Sequence, residues 1–165
     1  MKTIYSIGHS RHHPDDFAKL LKMHQIDALY DVRSRPYSRF NRQFNRETLE
    51  DVLKDIGITY VFMGGQLGGK PEDPCCYDAN GILSRALQIQ TPAFQKGIAR
   101  LRHDAAQLRV AIMCAEKDPL DCHRTWLIAE NVPDMTVIHI HADGRTERHA
   151  DMMAQMGPKQ GVLGF

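Results

Sequence analysis

What this chain lacks narrows it quickly. No apolar run is long enough to span a bilayer, so no membrane partner is expected. Met1-Lys2-Thr3-Ile4-Tyr5 leads straight into a strand pattern, with no signal peptide. There are only four cysteines and no Cys-x-x-Cys pair, which argues against a disulfide framework and points to a reduced, cytoplasmic setting. The net charge is only +1, too small for a global field that would mark a nucleic-acid or membrane protein. Gly68-Gly69-Lys70 lacks the Gly-x4-Gly-Lys-Ser/Thr spacing of a P-loop. The Cys-x5-Arg loop of phosphatases and sulfurtransferases is missing too. The sixth residue after Cys114 is Leu120, and the first arginine is Arg124. Internal repeats and low-complexity tracts are also absent.

What is there is ordinary globular material: 165 residues, 42% hydrophobic and 25% charged, enough for one domain with a real core. Short apolar runs mark strands at 3–7, 28–32, 58–63, 109–113 and 136–140. Helical stripes alternate with them. Pro14 suits a first helical position, followed by Asp15 and Asp16 and the stripe Phe17, Leu20, Leu21, His24. Asn45 is placed to cap a helix with Leu49, Val52, Leu53 and Ile56 on one face, and Gly57 stops it. Thr91-Pro92 opens a third helix carrying Phe94, Ile98, Leu101 and Ala105, and Asp118-Pro119 opens another. A short helix is expected at 82–89, and a flexible lid at 64–74. The alternation predicts an α/β fold. We expect a single-domain, mostly parallel five-stranded sheet flanked by helices on both faces, a three-layer α/β/α arrangement. The domain is expected over 1–142, with a C-terminal extension at 143–165 to which no structure is assigned.

In such a sheet the residues following each strand share one edge, where ligands bind. Here they are His9 and Ser10, then Asp31, Arg33 and Arg35, then Cys114, Glu116 and Lys117. Within eleven positions, Cys114 to Arg124, the chain gathers two thiols, an imidazole, a guanidinium, an ammonium and several carboxylates. Asp118 as cap and Pro119 at the first helical position would put Cys122, His123 and Arg124 at the end of the first turn. That favours an anion at the helix start, with Arg124 as a bidentate clamp and Cys114 as a thiol of lowered pKa. Small buried hydrophobe is the ordinary role of a free cysteine, Cys122 included. The constellation as a whole reads as a site. Cys122 and His123 are adjacent and would point to different sides of a helix, so no metal is assigned and no cofactor is required.

A second constellation runs from Arg33 to Arg46. It holds five arginines and three aromatics, Tyr37, Phe40 and Phe44, with no acid. Arginine interleaved with aromatics suits phosphates and stacked bases, which makes Arg39, Phe40, Arg42 and Phe44 nucleic-acid candidates. The alternative is a solvated loop anchored by its phenylalanines.

These motifs stand in a familiar order: Ile7-Gly8-His9-Ser10, Asp31-Val32-Arg33-Ser34-Arg35-Pro36, Phe44-Asn45, Leu67-Gly68-Gly69, Cys114-Ala115-Glu116 and Cys122-His123-Arg124. On them the sequence resembles the domain-of-unknown-function 488 family, from about residue 3 to 130 and more loosely through His139 and Asp143-Gly144. Arg11 departs from the small polar residue expected after His-Ser. The resemblance implies a compact α/β domain in which His9, Arg33, Cys114, Glu116, Cys122, His123 and Arg124 belong together. It names no activity.

Three functions follow as expectations. The first is an enzyme or enzyme-like domain for a phosphate-bearing ligand, a nucleotide or nucleic acid. In it Ser10, Asp31, Arg33, Arg35, Lys117, Cys122, His123 and Arg124 line the ligand site, and His9, Cys114 and Glu116 carry the chemistry. The second is a nucleic-acid-binding module without chemistry. The third is a thiol redox or metal-binding protein using Cys114 and Cys122.

Overall fold

The computed structural model describes residues 2–157. Its sheet is built from β1 (Thr3–Gly8), β2 (Ala28–Asp31), β3 (Thr59–Phe62), β4 (Val110–Cys114), β5 (Thr136–Ile140) and β6 (Thr146–Arg148). The strand order is β3-β2-β4-β1-β5-β6. The first five strands are parallel, as expected, and β6 adds an antiparallel edge to β5. β6 shows no apolar alternation because it lies on an open edge, with Thr146 and Arg148 exposed. After it comes α6 (His149–Met156), which buries Met152. Residues 158–165, the rest of the expected extension, lie outside the described residues.

Strand alternation divides the core into two layers. Ile4, Tyr30, Val110 and Ile112 face one way, against Phe94, Ile98 and Leu101 of α5 (Pro92–Asp104) and Leu127 and Ile128. Tyr5, Ile7, Leu29 and Met113 face the other way, against Phe17, Leu20 and Leu21 of α1 (Pro14–Met23) and Leu49 and Leu53 of α2 (Arg46–Asp55). Central strands buried on both faces need apolar residues at every position, which is why β4 reads Val-Ala-Ile-Met-Cys. The crossovers after β1 and β2 pack on one face, and the segment after β4 packs on the other. The C-terminal end of β4 therefore lies at the topological switch point, where loops diverge and a crevice opens. Cys114 is its last residue.

Several local readings are corrected. Pro14 does open α1, but the cap is His13, whose ring accepts from the Asp15 amide. His24 lies beyond the α1 stripe as its C-cap, and its Nε2 donates to the Gly144 carbonyl. Asn45 stands at the start of α2 without capping it, because its side chain accepts from Ser38 N at 2.7 Å. The expected lid begins as a helical turn, α3 (Gly64–Leu67), with Leu67 buried against α5. The short helix at 82–89 is one turn, α4 (Arg85–Gln88), capped by Ser84.

β1 and β4 approach so closely at their ends that a Cβ on Gly8 would fall on the Glu116 carbonyl oxygen and crowd the Arg124 guanidinium. Nothing lies within 4 Å of a Cβ built on Gly65. Gly8→Ala is expected to cost about 3 kcal/mol or prevent folding, and Gly65→Ala to stay within about 0.5 kcal/mol, as measured by urea unfolding.

Candidate functional site

The site starts from a splice of two strand ends. His9 N donates to Cys114 O and Ser10 N to Ala115 O, both at 2.9 Å, so the β1 and β4 exits leave the sheet together. Ser10 adopts a positive φ of 46° to make the turn. After Glu116 the chain does not enter a regular helix. Asp118 caps Leu120 N, but the turn it starts, Pro119–Asp121, is 3₁₀ and ends at once. Cys122 is extended, at φ −133° and ψ 146°. A wide π-helical turn, Arg124–Ile128, then follows. This corrects the expected helix start. Because Cys122 lies outside any helix, its side chain and that of His123 converge instead of diverging. The sulfurs of Cys114 and Cys122 and Nδ1 of His123 all lie within 4.8 Å of one another.

His123 is held in one tautomer. Its Nε2 is 2.9 Å from the Val32 carbonyl, which can only accept, so Nε2 carries the proton. Nδ1 is then a lone pair, 3.6 Å from Cys114 Sγ and 3.7 Å from Cys122 Sγ. The Cys114 thiol donates to Glu116 Oε2 at 2.8 Å.

Arg124 lies beneath these sulfurs and is 1% exposed. It donates to Cys122 Sγ through Nε at 3.3 Å, to Ser6 Oγ through Nη1 at 3.2 Å and to the Glu116 carbonyl through Nη2 at 2.8 Å. Among the described residues no carboxylate touches it. Arg124 is therefore not the anion clamp that its position after a loop implied, because it lines neither cavity described below. Its nearest acidic group is the Cys122 thiol. The neighbouring Cys114 and the Arg124 charge with its N–H donors hold Cys122 below the ordinary thiol range despite burial. The neighbouring Cys122, burial and the Glu116 carboxylate push Cys114 above it. The direction for Cys114 is thus opposite to the lowered pKa expected, because its thiol faces a carboxylate and Cys122 faces the guanidinium.

Asp31 and Arg33 form a second buried knot. Arg33 donates to Asp31 through Nε at 2.9 Å and Nη2 at 2.6 Å, and Nη2 also reaches the Phe44 carbonyl. Tyr60 donates to the same carboxylate at 2.7 Å. Arg33 Nη1 is 3.2 Å from Nε2 of His9, whose Nδ1–H donates to Ser10 O. The His9 ring stacks on Phe44 at 4.4 Å. Both His9 nitrogens are thus engaged, and burial lowers its pKa to about 4. His9 thus lies against Arg33 with its other ring nitrogen tied to the backbone. Behind Arg124, Ser6 Oγ is 3.1 Å from Nδ1 of His139, whose Nε2 is 3.2 Å from His149, which reaches Glu130 at 2.7 Å. Burial lowers the His139 pKa to about 3.

Two cavities open on this edge. The larger, about 960 Å³, has Cys114, Glu116 and His123 on one wall and Ser34, Lys70, Cys76, Tyr77 and Gln88 on the other. The smaller, about 340 Å³, is lined by His9, Ser10, Arg11, Arg33, Arg35, Tyr37, Ser38 and Asn41, with no acid among them. Arg33, Arg35 and Ala115 line both. Lys117 lines neither and is exposed. Arg39, Arg42 and Phe40 lie on the exposed loop beside them, and Phe44 is core. Reading the sequence missed Cys76, Tyr77 and Gln88. The unusual length of the segment after β3 was the available signal.

These features describe an α/β domain with a composite polar site at its switch point. The sequence matches the family described as domain of unknown function DUF488 over residues 13–130, and the chain belongs to that family. Neither the curated proteins nor the solved structures returned a match. No helix among the described residues is long and apolar enough to cross a membrane.

The buried neutral histidines set a pH dependence. His9 and His139 take up no proton in the folded chain until about pH 4 and 3, whereas unfolded histidine protonates near 6.5. Below 6.5 the unfolded state binds more protons, so stability is full above that pH and falls on acidification. The expected slope approaches about 1.4 kcal/mol per pH unit for each of the two histidines. Urea unfolding between pH 7.5 and 4 checks this, and His139→Asn is expected to halve the histidine part.

Proposed function

We propose that the chain is an enzyme-like domain that binds a phosphate-bearing ligand, a nucleotide or a nucleic-acid strand, across the C-terminal edge of its sheet. The observation that carries this reading is the pairing of the two cavities. The smaller one presents Arg11, Arg33 and Arg35 and no carboxylate, which suits phosphate. The larger one mixes Arg33, Arg35 and Lys70 with Glu116, Glu72 and Asp73, which suits a neutral polar group such as a base. Gln88 supports this reading. Its Nε2 donates to Gly68 O at 2.8 Å, while its buried Oε1 has no partner among the described residues and can accept from a ligand amine. An unpaired buried acceptor costs about 1–3 kcal/mol, which a bound donor would restore.

The Arg33–Arg46 loop extends the same surface. The ion pairs among the described residues engage none of Arg35, Arg39 and Arg42. Phe40 between them is 90% exposed. A phenylalanine so exposed, flanked by free guanidinium groups, is a stacking platform within an electrostatic track. Cys114, Glu116 and His123 form the wall facing the ligand, with Glu116 and His123 able to take the Cys114 proton.

Fluorescence anisotropy with a labelled single-stranded oligonucleotide and with a labelled mononucleotide tests the reading. Affinity is expected to fall with salt, and Arg35→Ala to reduce the log–log salt slope by about 0.7 for the strand. Phe40→Ala is expected to cost the strand about 1–3 kcal/mol and the mononucleotide little. No binding of either probe at low salt overturns the proposal.

A further inference from the structure

Cys114, Cys122 and His123 have more in common than proximity. A tetrahedral zinc ion bound at about 2.3 Å by sulfur and about 2.0–2.1 Å by nitrogen sets its S and N ligands about 3.6 Å apart. His123 Nδ1 lies 3.6 Å from one sulfur and 3.7 Å from the other. Nδ1 also carries the lone pair, because the Val32 carbonyl holds the proton on Nε2. That is the outer-shell bond that ligating histidines almost always make. Cys122 Sγ accepts from Arg124 N at 3.5 Å and Nε at 3.3 Å, contacts that suit a thiolate ligand. The ligand atoms are buried on the sheet side and reach the larger cavity through Cys114, Glu116 and His123.

We propose that Cys114, Cys122 and His123 form a binding site for a borderline-soft divalent cation of the zinc type, with its fourth position open to the cavity beside Glu116. The donor set of two sulfurs and one imidazole selects such an ion over calcium or magnesium, which take oxygen ligands. Three protein ligands with one open position is the arrangement of reactive zinc sites, whereas structural sites are closed by four. On binding, the Cys114 thiol proton, hydrogen-bonded to Glu116, passes through that carboxylate to solvent, and the ion takes its place at sulfur. This site goes beyond the nucleotide reading and does not rest on it.

The test uses the full chain with zinc and cobalt alone, without nucleotide. Reduced protein dialysed against zinc is expected to retain one equivalent by elemental analysis. Cobalt is expected to give the strong thiolate charge-transfer and tetrahedral ligand-field bands that water-bound cobalt lacks. Cys75→Ser, which removes the exposed cysteine, is expected to change neither. Cys122→Ser is expected to weaken the ion by more than the roughly 10–100-fold that loss of an outer-shell partner costs. Failure of the wild-type chain to retain zinc overturns the proposal. Cobalt spectra without thiolate bands, or bands that persist unchanged in Cys122→Ser, do so as well.

Discussion

A guanidinium buried without a carboxylate governs this molecule. Arg124 is almost wholly enclosed, yet its partners are a sulfur, a hydroxyl and a carbonyl. An uncompensated charge at such a place is costly enough that the surroundings must supply an anion. Among the described residues the acidic group in contact with it is the Cys122 thiol. The lowered pKa of Cys122 follows from its contact with buried Arg124, and the position of Arg124 is in turn a consequence of Gly8. The missing side chain there lets the Glu116 carbonyl and the guanidinium approach β1. A strand end, a buried cation and an acidic sulfur form one dependent series.

The Asp31–Arg33 pair follows the opposite logic. Its carboxylate takes three bonds from Arg33, one of them from the backbone N–H, and one from Tyr60, and Nη1 and Nη2 of Arg33 also meet His9 and Phe44 O. A pair so fully satisfied is weak evidence of stability, since well-packed apolar residues often do as well. Its contribution is placement. It fixes His9 over Phe44, closes the base of the Arg-rich loop against the core, and leaves one edge of Arg33 on both cavities. Two arginines that look alike in the sequence thus have different partners: Arg33 ties a loop to a carboxylate, and Arg124 donates to a thiol sulfur.

What the sequence disclosed follows from this physics. The stripes of α1, α2 and α5 and the apolar runs of β1, β2, β4 and β5 reflect burial, which periodicity reports directly. β6 left no such trace, because Thr146-Glu147-Arg148 is joined by backbone bonds at an exposed edge. The residues at the switch point could be named from topology alone. Their roles could not, because a guanidinium's reach is long and its direction is set by partners distant in sequence, such as Ser6 and Phe44. The convergence of Cys122 and His123 depends on one extended residue between a 3₁₀ turn and a π turn. Composition does not encode that dihedral angle, and treating the segment as a regular helix separated the two side chains.

The two cavities give the sheet edge a division of labour. Cations without acids gather on the side of β1 and β2, while sulfur, imidazole and carboxylate gather on the side of β4. Arg33, Arg35 and Ala115 form the wall between them. A ligand held by its charged part in the smaller cavity would present its neutral part to Cys114, Glu116 and His123 across that wall. Cys122 is buried against Arg124 while Cys114 faces the larger cavity. Two sulfurs of one cluster thus meet opposite charges, a guanidinium on the one and the Glu116 carboxylate on the other, and that difference, not their sequence spacing, separates their acidities.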